Sequence, residues 1–168
     1  MAQFKATPNQ GFSGEGLSFV SAHGKGGVIA AELKREGDGA SPIGVWTMKR
    51  VFWRPDRMKR PLTGLPTVPL REHDGWCDAP ADPMYNRPVR LPYPTSCERL
   101  WRDDQIYDII VELDHNSAPV TPGAGSAIFF HIARPDYRGT EGCIAVAKPD
   151  MLAVLKRCSI GSTLEIAA

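Results

Sequence analysis

The chain has 168 residues, of which 42% are hydrophobic and 23% charged, a size and composition that predict one soluble domain with a sizeable core. Twenty Lys and Arg against nineteen Asp and Glu leave a formal charge of +1, so no global field holds a polyanion and a dedicated nucleic-acid binder is excluded. No run reaches the roughly 18–20 apolar residues that span a bilayer, and residues 1–10 lack the apolar core of a signal peptide.

Gly (16) and Pro (15) together supply 31 of the 168 residues, well above the usual share of about 12%. In a chain this hydrophobic, that excess predicts many turns and short strands rather than a helical bundle. Four cysteines, Cys77, Cys97, Cys143 and Cys158, are too few for a disulfide scaffold, and no CxxC marks a structural zinc site. Spacing alone leaves a Cys77–Cys97 bridge open.

In chain order, residues 17–20 and 28–33 are apolar runs around a Gly-rich turn and read as a β-hairpin. Residues 36–44 are too rich in Gly and Pro to be regular, and 45–54 (VWTMKRVFWR) read as a strand. Residues 55–94 hold most of the prolines. Each removes a backbone donor and biases its predecessor away from helix, so this stretch is expected to be a long, ordered lid. Thr95 or Ser96 could cap a short helix through Trp101. Strands are expected at 106–113, 126–132, 143–147 and 163–167, with a helix at 150–156. The expected fold is mainly β, a sandwich or barrel-like sheet with one or two short helices, spanning 1–168 as a single domain with 55–94 as its Pro-rich insert.

The segment 126–146 carries the chemistry. His131 ends an apolar run, and Cys143 follows twelve residues later, preceded by Gly142. A thiol becomes a strong nucleophile only when ionised, and its unperturbed pKa of about 8.5 calls for a neighbouring imidazole or cation. His131 is the candidate base. Gly142, lacking a Cβ, lets a substrate carbonyl approach the amides of Gly142 and Cys143 as an oxyanion hole. The plain alternative is a buried Cys acting as a small hydrophobe beside a hydrogen-bonded core His.

The string from His131 to Thr140-Glu141-Gly142-Cys143-Ile144 resembles the signature of the YkuD-type L,D-transpeptidases, bacterial enzymes that remodel peptidoglycan with a Cys nucleophile, a His base and a backbone carbonyl that orients the His. EGDGASPIGVWTM (36–48) is similar to that family's Gly-rich segment before a strand. DGWCDAPADPMYNRPVRLPY (74–93) and ARPDYRGTEGC resemble a short Gram-negative branch of it. The resemblance implies Cys143 as nucleophile, His131 as base, the Thr140 carbonyl as the group orienting the imidazole, and Gly142 shaping the oxyanion hole. Two departures stand out: Glu141 replaces the usual His, and Ala145 replaces the usual Arg. Arg134 and Arg138 are expected to take over carboxylate recognition, with Arg87 reaching in from the lid. Tyr137, Glu141, Trp76, Tyr85 and Asn86 complete the expected substrate contacts.

The implied function is a peptidoglycan L,D-transpeptidase acting on stem peptides as a monomer in the periplasm or cell wall, with no metal or organic cofactor and no integral membrane segment. It would form 3-3 cross-links or, given the altered residues around Cys143, 1-3 cross-links from L-Ala to diaminopimelate. The alternatives are a Cys-dependent carboxypeptidase or endopeptidase and a non-catalytic peptidoglycan-binding module. A metal site using Asp114, His115, His131, Glu141 or Cys143 lacks any HxH, HExxH or CxxC spacing.

Overall fold

The computed structural model describes residues 1–168. It is mainly β, as expected, with one helix. The chain runs β1 (Gln3–Thr7), β2 (Gly11–Gly14), β3 (Leu17–Phe19), β4 (Val28–Ala30), a 3₁₀ turn (Ala31–Leu33) and β5 (Ser41–Trp53). Then come β6 (Thr67–Pro69), β7 (Asp74–Cys77), β8 (Pro88–Arg90), β9 (Cys97–Arg99), β10 (Ile109–Leu113), β11 (Phe129–Ile132), β12 (Ile144–Val146), α1 (Lys148–Leu155) and β13 (Thr163–Ile166).

The thirteen-residue β5 organises the large, nearly closed sheet, whose order is β12-β11-β10-β5-β13-β1-β2-β3. Its first half pairs with β13, Val45 opposite Glu165, and its second half with β10, Val51 opposite Val111. The handover coincides with a register shift at Glu112 and Leu113. A bulge of this kind bends the strand and raises the local twist, and here the sheet curls around a core of Phe4, Phe12, Met48, Val111, Phe130 and Leu164. Phe130 and Phe12 stack across it at 5.2 Å. Helix α1 places Pro149 in its first turn, where a missing N–H does no harm, and buries Met151, Val154 and Leu155 against this core.

A second sheet, β8-β7-β9, covers the other face of β10 and β11. It docks through Trp76, whose ring meets Phe129 edge-on at 5.0 Å. The strand period of two divides β11 between the cores: Phe130 and Ile132 point to the first, Phe129 to the second.

Three local expectations are corrected. The 17–33 hairpin does not form, because β3 pairs with β2 while β4 runs parallel to the start of β5. The segment expected to be helical around Glu98 is β9; the open edge of β7 supplies a ladder, Trp76 opposite Glu98, that overrides the helix-forming side chains. The Pro-rich 55–94 segment is a side wall built on β7 and β8 rather than a cover, with Asp78 as its sole residue lining the central cavity.

Candidate active site

Strand alternation explains why His131 and Cys143 meet. β11 and β12 are parallel neighbours with Phe130 opposite Ile144 and His131 opposite Ala145. Ile144 and Val146 fill the first core, so Cys143 and Ala145 face the same side as Phe129 and His131. Cys143 therefore lies diagonally beside His131, and both line one cavity of about 530 Å³.

The loop that presents the thiol is held on both flanks. Lys25 N–H donates to the Thr140 carbonyl (2.7 Å), Thr140 N–H to His23 O (2.8 Å), and Ala22 exchanges two hydrogen bonds with Ala145 (2.8 and 3.0 Å). The Thr140 hydroxyl donates to the Cys143 carbonyl (2.6 Å) and accepts from Gly142 N–H (3.1 Å), closing the turn. Gly142 has φ +130°, and a Cβ there would lie 2.8 Å from the Ala40 carbonyl, so the turn requires glycine. Cys143 N–H makes no hydrogen bond within the protein, which leaves it available to a substrate oxygen.

Cys143 and His131 are 6% and 5% exposed. The thiol donates to the Ala127 carbonyl (3.1 Å), and its sulfur accepts from Phe129 N–H (3.4 Å). No hydrogen bond joins it to His131. Burial, followed by the nearby Glu98 carboxylate, pushes the thiol up to about 12. Burial also pushes His131 down to about 4, against the opposing pull of the Ile132 carbonyl. The resting pair is thus a neutral thiol and a neutral imidazole.

The expected orienting group is corrected. His131 Nδ1 lies 2.9 Å from the carbonyl of Ile132, its own neighbour, whereas the Thr140 carbonyl is taken by Lys25. The Ile132 carbonyl fixes Nδ1 as the protonated nitrogen and leaves Nε2 unprotonated. Thr140 acts through its hydroxyl on the turn.

The expected substrate contacts divide. Arg134, Arg138 and Glu141 line the cavity. Arg134 shares Asp104 with Arg102, and Glu141 is held by Lys25 at 2.7 Å, but the exposed Arg138 guanidinium has no ion-pair partner. Tyr137, at φ +51°, shapes the 133–140 loop and is not in the wall. Trp76, Tyr85 and Asn86 are interior residues instead of contact residues. Asn86 Oδ1 accepts from Trp76 Nε1 (2.9 Å) and Ala127 N–H (3.0 Å), thereby fixing the carbonyl that receives the Cys143 thiol. Tyr85 donates to Glu36 (2.5 Å) and accepts from Gly125 N–H. Arg87 is exposed outside the cavity.

The cavity also holds residues that sequence reading missed, chiefly Glu36, Asp78, Glu98, Arg102 and Tyr107. The signal available was the density of charge in ERLWRDD, an unusual run for a core-bound aromatic segment.

A buried thiol, an imidazole with a free Nε2, an unused backbone N–H and an unpaired guanidinium around one cavity suit nucleophilic acyl transfer. Residues 13–166 match the family model of the YkuD L,D-transpeptidase catalytic domain, and the chain belongs to that family. Among solved structures, an L,D-transpeptidase from Mycobacterium smegmatis is similar over 99% of this chain and 58% of its own, at 14% identity and a TM-score of 0.39. This chain thus spans 58% of the length of that structure. Comparison with curated proteins finds no match. No helix is long and apolar enough to cross a membrane.

Proposed function

We propose that the protein is a peptidoglycan L,D-transpeptidase with Cys143 as its nucleophile. The observation that carries this reading is the placement of the Cys143 thiol beside His131 on one face of two parallel strands, in a cavity that also offers Arg138.

In the first half-reaction His131 Nε2 takes the thiol proton as Sγ bonds to the carbonyl carbon of an L-residue in a donor stem. Oxyanion charge falls on Cys143 N–H. The tetrahedral species collapses, the C–N bond breaks, and imidazolium gives its proton to the departing amine, leaving a thioester. In the second half-reaction the side-chain amine of diaminopimelate in another stem attacks, His131 accepts a proton, and the thiol leaves. Because the resting pair is neutral, substrate must bring the thiol from the Ala127 carbonyl to Nε2, and catalytic hydrogen bonds often tighten in this way once substrate binds. On this reading the enzyme acts as a monomer, and a peptidoglycan substrate means that it works in the periplasm or cell wall.

The uncharged residue two places after the nucleophile is our reason for preferring 1-3 over 3-3 linkage. Ala145, two residues after the nucleophile, lines the cavity without a charge, and Arg138 stands five residues before it. With its carboxylate contacts altered in this way, the site is read as one that cuts the donor at the first-position L-Ala. Incubating the protein, beside Cys143→Ala, with disaccharide-tripeptide and disaccharide-tetrapeptide muropeptides tests the reading. Tandem mass spectrometry is expected to find dimers joined from L-Ala to diaminopimelate with the wild type alone. Dimers joined at the third residue would replace 1-3 by 3-3 linkage; shortened monomers without dimers would indicate hydrolysis, and binding without turnover a non-catalytic module.

A further inference from the structure

Resting on that reading, we infer that Glu98 is a second base in this site, one that deprotonates the incoming acceptor amine and so sets the preference for aminolysis over hydrolysis. The acceptor reaches the site as an ammonium, since a primary alkylamine titrates near 10. It must lose one proton before it can attack and a second as the amide forms. His131 is committed to the second, because the same proton must reprotonate the departing sulfur.

Glu98 is placed for the first. It projects from β9 into the cavity that holds Cys143 and His131. Oε1 accepts the Tyr107 hydroxyl, and no hydrogen bond or ion pair occupies Oε2. Tyr107 in turn sets its ring edge-on to His131 at 5.2 Å, so the carboxylate is fixed relative to the imidazole. Of the other acids of the wall, Glu36 accepts two hydroxyls on one oxygen and Glu141 is held by Lys25, while Asp78 buries an unpartnered Oδ1 but lacks the link through Tyr107 to His131 that fixes Glu98. Arg102, a cation of the same wall, is gripped by Asp104 through two hydrogen bonds of 2.9 and 2.7 Å and does not close on Glu98.

The charged and titratable groups facing Glu98 are Tyr107, Arg102, Asp78, Glu36 and Cys143. Burial dominates and raises the carboxyl to about 7, the hydroxyl of Tyr107 and the charge of Arg102 opposing. A base titrating there is half ionised at neutral pH and close to the optimum for proton transfer.

The step balances. The ammonium gives a proton to the Glu98 carboxylate; the amine nitrogen bonds to the thioester carbon and passes its second proton to His131. The C–S bond breaks, sulfur takes the proton from imidazolium, and Glu98 releases its own to water. Thioester and ammonium become amide, thiol and one free proton.

Glu98→Gln keeps an acceptor for Tyr107 and removes the base. The test compares how the wild-type and variant acyl-enzymes divide between a diaminopimelate acceptor and water, and repeats it with hydroxylamine, which is neutral at pH 7. The partition toward diaminopimelate is expected to fall about 100-fold in the variant, and to recover as pH rises toward that of the free amine. Hydroxylamine capture should barely change. Tyr107→Phe should move the rising limb of the wild-type profile, near pH 7, to higher pH. An equal loss with both acceptors, an unchanged partition, or an unmoved limb overturns the role of Glu98. A wild type that forms no acyl-enzyme overturns the parent reading and this inference with it.

Discussion

At the scale of single residues, Cys143 is held as a neutral thiol by burial and by a hydrogen bond to Ala127, which limits stray oxidation and makes activation depend on substrate. Cys143→Ala is predicted to lower turnover by about 10⁴-fold or more, and His131→Ala by about 10²–10⁴, both read as dimer formed per minute at fixed folded protein. Gly142→Ala must strain a φ of +130° and push a methyl toward the Ala40 carbonyl. It is predicted to lose about 1–3 kcal/mol in a urea melt, with activity falling alongside. That Cys143 and His131 would share one cavity, with Gly142 at a turn only glycine fits, was legible in the sequence because each is a residue type that nucleophilic chemistry demands. The Ile132 carbonyl was not, since any residue carries a carbonyl and only the imidazole's orientation reveals which one it meets.

At the scale of elements, the small sheet is the support of the site. Trp76 packs on Phe129, and its indole N–H is tied through Asn86 to Ala127, so the wall and the thiol's resting partner move together. Trp76→Ala is predicted to cost about 3–5 kcal/mol of stability. β7 and β9 also set Cys77 directly opposite Cys97, both as free thiols. Hydrogen bonds at Leu100 to Asp74 and Asp78 to Ser96 put this pair at a non-hydrogen-bonded position, where Cα atoms approach to about 4.5 Å and a bridge is sterically allowed. Oxidised glutathione is predicted to link Cys77 to Cys97 while Cys143 stays alkylatable after denaturation. A peptide map showing glutathione on Cys143 instead would contradict this. The sequence left the bridge open, and read β9 as helix, because ladder partners distant in the chain decide both. The alternating burial of Phe4, Ala6 and Phe12, which builds β1 and β2, was visible as a pattern but is short enough to be overlooked.

At the scale of the whole molecule, buried histidines couple folding to pH. His115 and His131 are each lowered from 6.5 to about 4 by burial, and His23 is lowered too. Between those values the unfolded chain binds protons that the folded chain refuses, so stability is complete above about pH 6.5 and lost as pH falls toward 4. The raised Glu98 acts in the opposite sense over part of this range, as a single group against three. The midpoint of thermal unfolding is predicted to drop from pH 7 to pH 4.5, at up to about 1.4 kcal/mol per pH unit for each histidine, and less steeply in His115→Phe. The mainly β class and its barrel-like sheet were legible from Gly, Pro and strand-like runs; the order of the strands was not, because it rests on β5 serving two neighbours in succession.

The proposed reaction stands or falls on whether Cys143 carries the acyl group. Acid-quenched intact-protein mass spectrometry, with a donor muropeptide and no acceptor, tests it most directly. The expected result is an added mass equal to the donor minus its leaving portion, mapped to Cys143 and absent from Cys143→Ala. An adduct on both proteins, or on neither while dimers still form, would contradict it.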